Sequence, residues 1–318
     1  MTAAPIQRRD ALAQGFSDNE LRRLTARCGW RRLRPGSYLR SDTYAALDRE
    51  EQYSALVYAT AAHLSAPAII SHQSAAAVQD LPLWGLALDR VHVTRHRRSG
   101  GHRGKHVHVH CAPFDEAETL TIGPLRVFTP ARTVVDIART ATLQAAVAIG
   151  DAAVRRFHLT HESLCQALTY AVGRPGYRAA ARAIGMLDER SESVGESRSR
   201  VLLAELDLPT PDLQTTVLDG SGRFVARVDF CFEELGIIGE FDGKVKYDGT
   251  LPKEPATALY EEKLREDTLR DLGWEVVRWG WPELDTPPLV ADRFRRAVAR
   301  SAHRPRPLGR TTQLPRTF

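Results

Sequence analysis

The chain has 318 residues, a formal net charge of +5, 43% hydrophobic and 26% charged residues. That balance belongs to a globular protein rather than a fibrous or disordered one, and the length fits two or three domains. No run of about 18 apolar residues occurs, so no membrane-spanning helix is expected.

The opening residues lack the apolar stretch of a secretory signal. The cysteines Cys28, Cys111, Cys165 and Cys231 have neither metal-ligand nor disulfide-framework spacing. A reducing cytoplasm is the expected location. Of the 44 basic residues, 39 are arginine, and where they cluster is more informative than how many there are. Residues 7–40 hold Arg8, Arg9, Arg22, Arg23, Arg27, Arg31, Arg32, Arg34 and Arg40, against Asp10, Asp18 and Glu20.

A first helix is predicted from about Gln7 to Gln14, closed by Gly15. Ser17 followed by Glu20 has capping-box spacing, starting a second helix from Asp18 to about Cys28 that stops at Gly29. The run WRRLRPGSYLR (30–40) reads as a hairpin turning on Pro35-Gly36. Helix, turn, basic helix and basic hairpin over residues 1–50 is the layout of a winged helix-turn-helix, whose second helix enters the DNA major groove. A basic helical hairpin used for packing or dimerisation would carry the same pattern. On the first reading DNA is the partner, met by Arg22, Arg23 and Arg27 of the second helix and by Arg32 and Arg34 of the wing. The segment SDNELRRLTARCGWRRLRPGSYLR (17–40) resembles the N-terminal region of AbiEi-type antitoxins, with less helix before the Gly15-Phe16 turn. That resemblance implies a transcriptional regulator with a cognate toxin.

Residues 51–187 resemble the α/β region that follows the winged helix in the same group. YSALVYATAAHL (53–64) and SHQSAAAVQDL (71–81) read as helices separated by Pro67, and RVHVTR (90–95) and KHVHVHC (105–111) as strands flanking the loop HRRSGGHRG. In FTPARTVVDIART (128–140), Thr129 caps a helix with Pro130 in its first turn, and Arg132 stands four residues before Asp136, the spacing of a helix-surface ion pair. His106, His108 and His110 share one face of their strand. They read either as a metal site without an obvious carboxylate partner, or as the exposed face of a basic hairpin with Arg95, Arg97, Arg98, Arg103 and Lys105.

Residues 188–300 read as a further domain. GESRSRVLLAEL (195–206) has a helical pattern, FVARVDFCF (224–232) and GIIGEFD (236–242) read as strands, EPATALYEEKLREDTLRDLG (254–273) as a long helix and WEVVRW (274–279) as a third strand. Alternation puts Asp229 among apolar neighbours on the first strand, and Glu240 and Asp242 on one face of the second. Carboxylates in such a setting are normally paired or bound to a metal, and hard oxygen donors suit Mg²⁺ or Mn²⁺. A solvated acidic face on an amphipathic hairpin has the same alternation. Asp267 and Arg270, three apart on the long helix, are further candidates beside the acids.

The motifs RVDF, GEFDGK and KLREDTLRDLGWEVVRW, in that order, resemble the PD-(D/E)XK nuclease superfamily, and within it the Vsr-like branch. The resemblance covers about residues 190–298 and implies a restriction-endonuclease-like sheet flanked by helices. It implies Asp229 and Glu240 as metal-binding acids and Glu196 as the helical acid that completes the metal shell. The usual signature ends Glu-x-Lys; here Asp242 occupies the lysine position and Lys244 is the first lysine after it. The expected fold is therefore α/β or α+β in three domains, with a disordered tail at 301–318 rich in proline and arginine. The expected function is a DNA-binding protein with a metal-dependent endonuclease-like domain, the alternative being an antitoxin-type regulator with an inactive nuclease fold. Asp229, Glu240, Asp242, Lys244 and Glu196 are the candidate catalytic residues.

Overall fold

The computed structural model describes residues 4–27, 29–64, 68–243, 256–316 and 318. They form a mixed α/β structure of helices and three sheets, and among them no helix is long and apolar enough to cross a membrane. Contacts divide the chain into two units, residues 1–185 and 186–318.

The first unit opens with β1 (Ile6–Gln7), α1 (Arg8–Ala13), α2 (Asp18–Ala26), β2 (Trp30–Arg34), β3 (Ser37–Arg40) and α3 (Ser41–Ala46). The capping box of α2 forms as expected: the Ser17 hydroxyl accepts from the Glu20 N–H at 3.3 Å, and the Glu20 carboxylate from the Ser17 N–H at 2.8 Å. Gly36 has a φ of +76° at the hairpin turn, a conformation that favours glycine. Strand β1, too short to be read from sequence, adds antiparallel to β3, giving the order β1-β3-β2.

A larger part of the unit follows: α4 (Arg49–Ala61), β4 (Ala68–Ile70), α5 (His72–Val78), β5 (Val91–Arg95), β6 (His102–Arg103), β7 (Val107–Cys111), β8 (Thr119–Ile122), β9 (Leu125–Phe128), α6 (Pro130–Ala138), α7 (Leu143–Phe157), α8 (His161–Thr169) and α9 (Tyr177–Ile184). The six strands run in the order β6-β7-β5-β4-β9-β8. The expected basic hairpin is not formed. Strands β5 and β7 are parallel, with His92 beside His108 and Thr94 beside His110; β6 occupies the hairpin position against β7 instead. Thr129 caps α6 with Pro130 in its first turn, as expected.

The Arg132–Asp136 pair does not lie on a helix surface. Arg132 and Asp136 are each 2% exposed; the guanidinium meets Asp136 at 3.1 Å and also bonds Glu118, itself buried. Glu118 depends on that one cation, and Asp136 shares it with Arg139, which meets Asp136 at 3.4 Å; a buried charge left alone is far costlier than a buried pair.

The second unit contains α10 (Val194–Glu205), β10 (Asp212–Leu218), β11 (Phe224–Phe232), β12 (Ile237–Asp242), α11 (Ala256–Asp271), β13 (Glu275–Gly280), α12 (Trp281–Leu284), α13 (Pro287–Ser301) and β14 (Arg310–Thr312). Its sheet has the order β13-β12-β11-β10-β14, with β12 and β13 parallel and the other neighbours antiparallel. One core gathers Leu202, Leu203, Phe230, Ile237, Trp279 and Phe294; the other gathers Val217, Val228, Ile238, Leu269, Trp274 and Val276. Successive residues Ile237 and Ile238 enter different cores, so both faces of β12 are covered. Burying each such side chain contributes about 1.5–3 kcal/mol.

The tail departs from expectation. Arg310–Thr312 pairs antiparallel with Thr216–Leu218, and the Thr311 hydroxyl donates to Glu233 at 2.8 Å. Strand β10 would otherwise be an open edge, whose backbone groups recruit a partner whatever its composition. Gly309, with φ +103°, makes the approach possible, since a Cβ there would lie 2.1 Å from the Leu218 carbonyl oxygen.

Arg132→Met is expected to destabilise the protein by about 3–5 kcal/mol, by leaving Glu118 buried without its cation and Asp136 with Arg139 alone. Urea denaturation at neutral pH measures it; a loss below about 1 kcal/mol, typical of an exposed pair, would contradict the buried-hub assignment.

Candidate functional site in the second unit

The candidate acids converge at one end of the five-stranded sheet. The β11–β12 pairing ends at Phe230 with Gly239; one residue further along each strand stand Asp229 and Glu240, which line the same cleft. Glu196 arrives from the first turn of α10, nine-tenths buried.

Asp229 accepts from the Phe241 N–H at 2.9 Å and from the Gln214 side-chain amide at 3.3 Å. The same Gln214 nitrogen donates to Glu196 at 2.9 Å, so one neutral amide stands between two carboxylates. Glu196 further accepts from the Glu192 N–H at 2.8 Å and the Ser193 hydroxyl at 2.7 Å. Gln214 is 3% exposed and has a φ of +51°, a conformation disfavoured for a residue with a Cβ. Strain of this kind persists only where surrounding structure fixes it.

Gly195 fixes the approach of α10. A Cβ at that position would fall 1.9 Å from the Phe241 ring, so only glycine lets the helix start lie against β12. Ser199 ties the same region, accepting from the Trp279 indole N–H at 2.8 Å and donating to the Gly195 carbonyl at 2.7 Å.

Glu240 differs from the other two acids because it faces a cation. Arg278, beside it in the parallel β12–β13 register, meets it at 2.7 Å, and also meets Glu262 at 2.5 Å and Glu266 at 3.1 Å. Asp242 lies at the end of β12 opposite Gly280. A cleft of about 450 Å³ is lined by Arg227, Asp229, Glu240, Asp242, Glu262 and Arg278. Lys244 lies outside the described residues.

Four site residues were not singled out from sequence. Gln214 sits in β10, whose polar run hides a strand. Arg278 is the one charged residue between Val277 and Trp279 in an otherwise apolar run. On α11, Glu262 and Glu266 reach Arg278, whereas the expected Asp267 and Arg270 are exposed, with Arg270 paired to Glu266 at 2.7 Å.

The strand histidines also depart from expectation. His106 is exposed, while His110 is grouped with His72 and His92, one nitrogen from each lying within 4.8 Å of the others. Among the described residues this trio meets that spacing, and the acids at the sheet end do not.

The basic segment is brought together in part. Arg22, Arg23, Arg27 and Arg32 are exposed. Arg34 is half-buried, donating to the Thr60 hydroxyl at 3.0 Å, because its β2 position turns towards α4. It does not extend the exposed face.

No family model matches the chain. It is 32% identical over 175 residues to two uncharacterized proteins of Mycobacterium tuberculosis, one from strain CDC 1551 / Oshkosh and one from strain ATCC 25618 / H37Rv. The match spans 55% of this chain and 58% of the length of each relative.

Burial, with Glu196 and Glu240 nearby, pushes the Asp229 carboxyl up to about 6. Between pH 4 and 6 the folded chain therefore keeps a proton that the unfolded chain has released. Folding loses stability as pH rises through that window, by up to about 3 kcal/mol, and the loss persists above it. Asp229→Asn is expected to raise the melting temperature at pH 7.5 in the presence of chelator, and to leave it nearly unchanged at pH 4. Equal shifts at both pH values would show that Asp229 is not held in this way.

Proposed function

We propose that the protein binds DNA through its basic N-terminal segment and that the second unit is a metal-dependent phosphodiesterase domain of PD-(D/E)XK type. One observation carries the reading: Glu196, buried, and Asp229, partly buried, share one glutamine amide, and among the described residues neither has a cationic partner. Buried anions in that state invite a cation, and oxygen donors at the mouth of a polar cleft suit Mg²⁺ or Mn²⁺. With Glu240 as the third acid, the group would hold one ion, and the ion would activate a water and neutralise charge on the leaving oxygen.

In this reading Asp229 and Glu240 hold the ion, and Gln214 orients Asp229 and Glu196 from behind. Asp242 lines the cleft through which substrate enters. Arg265, also on the cleft wall, provides charge for a phosphate. On the N-terminal segment, Arg22, Arg23, Arg27 and Arg32 present charge to a nucleic-acid backbone.

A second reading, the antitoxin-type regulator with an inactive nuclease fold, is favoured by Arg278. Its guanidinium occupies one side of Glu240 at 2.7 Å, where it competes with a metal. Asp242 in the signature lysine position points the same way. A cognate toxin belongs to this reading alone.

The discriminating measurement is cleavage of duplex and single-stranded DNA in Mg²⁺ and in Mn²⁺. Asp229→Ala and Glu240→Ala are expected to abolish cleavage while leaving DNA affinity intact. Arg278→Ala is expected to raise metal affinity at Glu240. Wild-type protein that binds DNA and cleaves nothing in either metal would overturn the enzymatic reading and favour the regulator.

DNA binding is tested separately by the salt dependence of affinity. Replacing Arg22, Arg23 and Arg27 by alanine should reduce the log–log slope by roughly one for each phosphate no longer neutralised, and Arg34→Ala should leave it unchanged. An unaltered slope in the triple variant would remove this segment as the DNA reader.

A further inference from the structure

The first unit carries a cluster of imidazoles that the proposed function does not use. Parallel pairing of β5 and β7 sets His92 beside His108 and Thr94 beside His110, so all four side chains project from one face. The start of α5 lies over that face and contributes His72, which is 4% exposed with a φ of +51°. The His92 Nδ1 and His110 Nε2 atoms are 3.0 Å apart, and the His72 and His110 rings stack with centroids 3.7 Å apart.

We propose that His72, His92 and His110 form a binding site for a divalent ion of the zinc class, with a fourth position open to the adjoining cavity. Imidazole nitrogen is the ligand type such ions favour, and three histidines with an open fourth position are a recurrent zinc arrangement. The nitrogen spacing is close to what the ion requires: Zn–N bonds of about 2.0–2.1 Å in a tetrahedron place two ligand nitrogens about 3.3 Å apart.

The surroundings assign the ligand atoms. His72 Nδ1 meets the Ser71 hydroxyl at 3.1 Å, leaving Nε2 for the ion. His92 Nε2 meets the Gln73 side-chain amide at 2.8 Å, leaving Nδ1. The Gln73 nitrogen that faces this ring also donates to the Ala87 carbonyl at 3.1 Å, so ligation through Nδ1 requires Gln73 to give up that bond and turn its oxygen to accept the Nε2–H.

The cavity has a volume of about 460 Å³, and Thr94, His108, Arg132, Asp136 and Arg139 are among its lining residues. It gives the His72 and His110 rings room to splay from their stack, as coordination of one ion requires. Arg132 and Arg139 are both tied to Asp136, at 3.1 and 3.4 Å. Their charge is thereby partly compensated, while the guanidinium groups still favour a water-derived hydroxide or a small anion as the fourth ligand.

The test uses the full-length chain, stripped with chelator and carrying Asp229→Ala so that the acids of the second unit do not contribute. Co²⁺ titration followed by visible absorption, then displacement by Zn²⁺, should give one ion per chain with tetrahedral d–d bands. His110→Gln and His92→Gln should each weaken binding by more than about 100-fold, since loss of even an outer partner costs about 10–100-fold. Gln73→Ala should fall within that smaller range, and His106→Ala, at an exposed position on the same segment, should bind as the parent does. Far-UV circular dichroism checks that each variant folds. A folded parent that takes up no Co²⁺ or Zn²⁺ overturns the site, as does uptake unaffected by both His92→Gln and His110→Gln.

Discussion

A buried carboxylate must be compensated, and how that is done separates structural groups from chemical ones in this protein. Glu118 and Asp136 share Arg132. Glu275, 1% exposed, meets Arg300 at 3.0 Å and Arg304 at 2.9 Å. Asp188 meets Arg190 at 2.7 Å. Each of these pairs draws its cation from the arginine-rich composition, and each is complete without any ligand. Asp229 and Glu196 break the pattern, being held by backbone N–H groups, a serine hydroxyl and one glutamine amide. In an interior otherwise so well supplied with guanidinium groups, a pair of acids left to neutral donors is what supports the proposed metal site.

The polar hubs of both units carry unusual backbone. Among the described residues, Gln214 and His72 belong to a small set of non-glycine positions with positive φ, and both are buried. Such conformations cost of order 1–3 kcal/mol and are tolerated where the surroundings over-determine them. At Gln214 the cost is offset by an amide that serves two acids at once. At His72 the backbone brings an imidazole onto the face of β5 and β7. In both cases rigid neighbouring strands supply the scaffold, so the positioned groups have little freedom to drift from the geometry that binds an ion.

Much of the second unit was legible in sequence because its strands alternate cleanly. FVARVDFCF and GIIGEFD show Asp229 and Glu240 among residues that only a sheet interior accommodates, and in the structure both acids line one cleft. Strand β10 was not legible, since Gln214, Thr215 and Thr216 give it the look of a loop, although the first two are buried. Arg278 was hidden for the opposite reason: a charge between Val277 and Trp279 does not announce its partners, which come from a helix 16 residues earlier in the case of Glu262. Composition misled at the tail, where pairing with an open sheet edge depends on backbone rather than side chains. The histidine trio was visible only at His110, because period-2 spacing marks it with His106 and His108, while His72 and His92 join it through the fold.

The position of Arg278 does not by itself decide whether Glu240 can serve a metal. A guanidinium that had Glu240 as its one partner would resist displacement, because losing that carboxylate would leave a partly buried charge alone. Arg278 instead faces three acids. If an ion draws Glu240 away, Glu262 and Glu266 remain, so the charge stays paired. The two helix acids then act as a rest position for the arginine, and Glu240 can change partner at a cost closer to that of a surface pair, about 0–1 kcal/mol, than to that of a buried one. By the same reasoning, the strength with which Arg278 competes depends on Glu262 and Glu266 more than on Glu240. The balance between the enzymatic and regulatory readings thus rests on α11 as well as on the acids of the sheet.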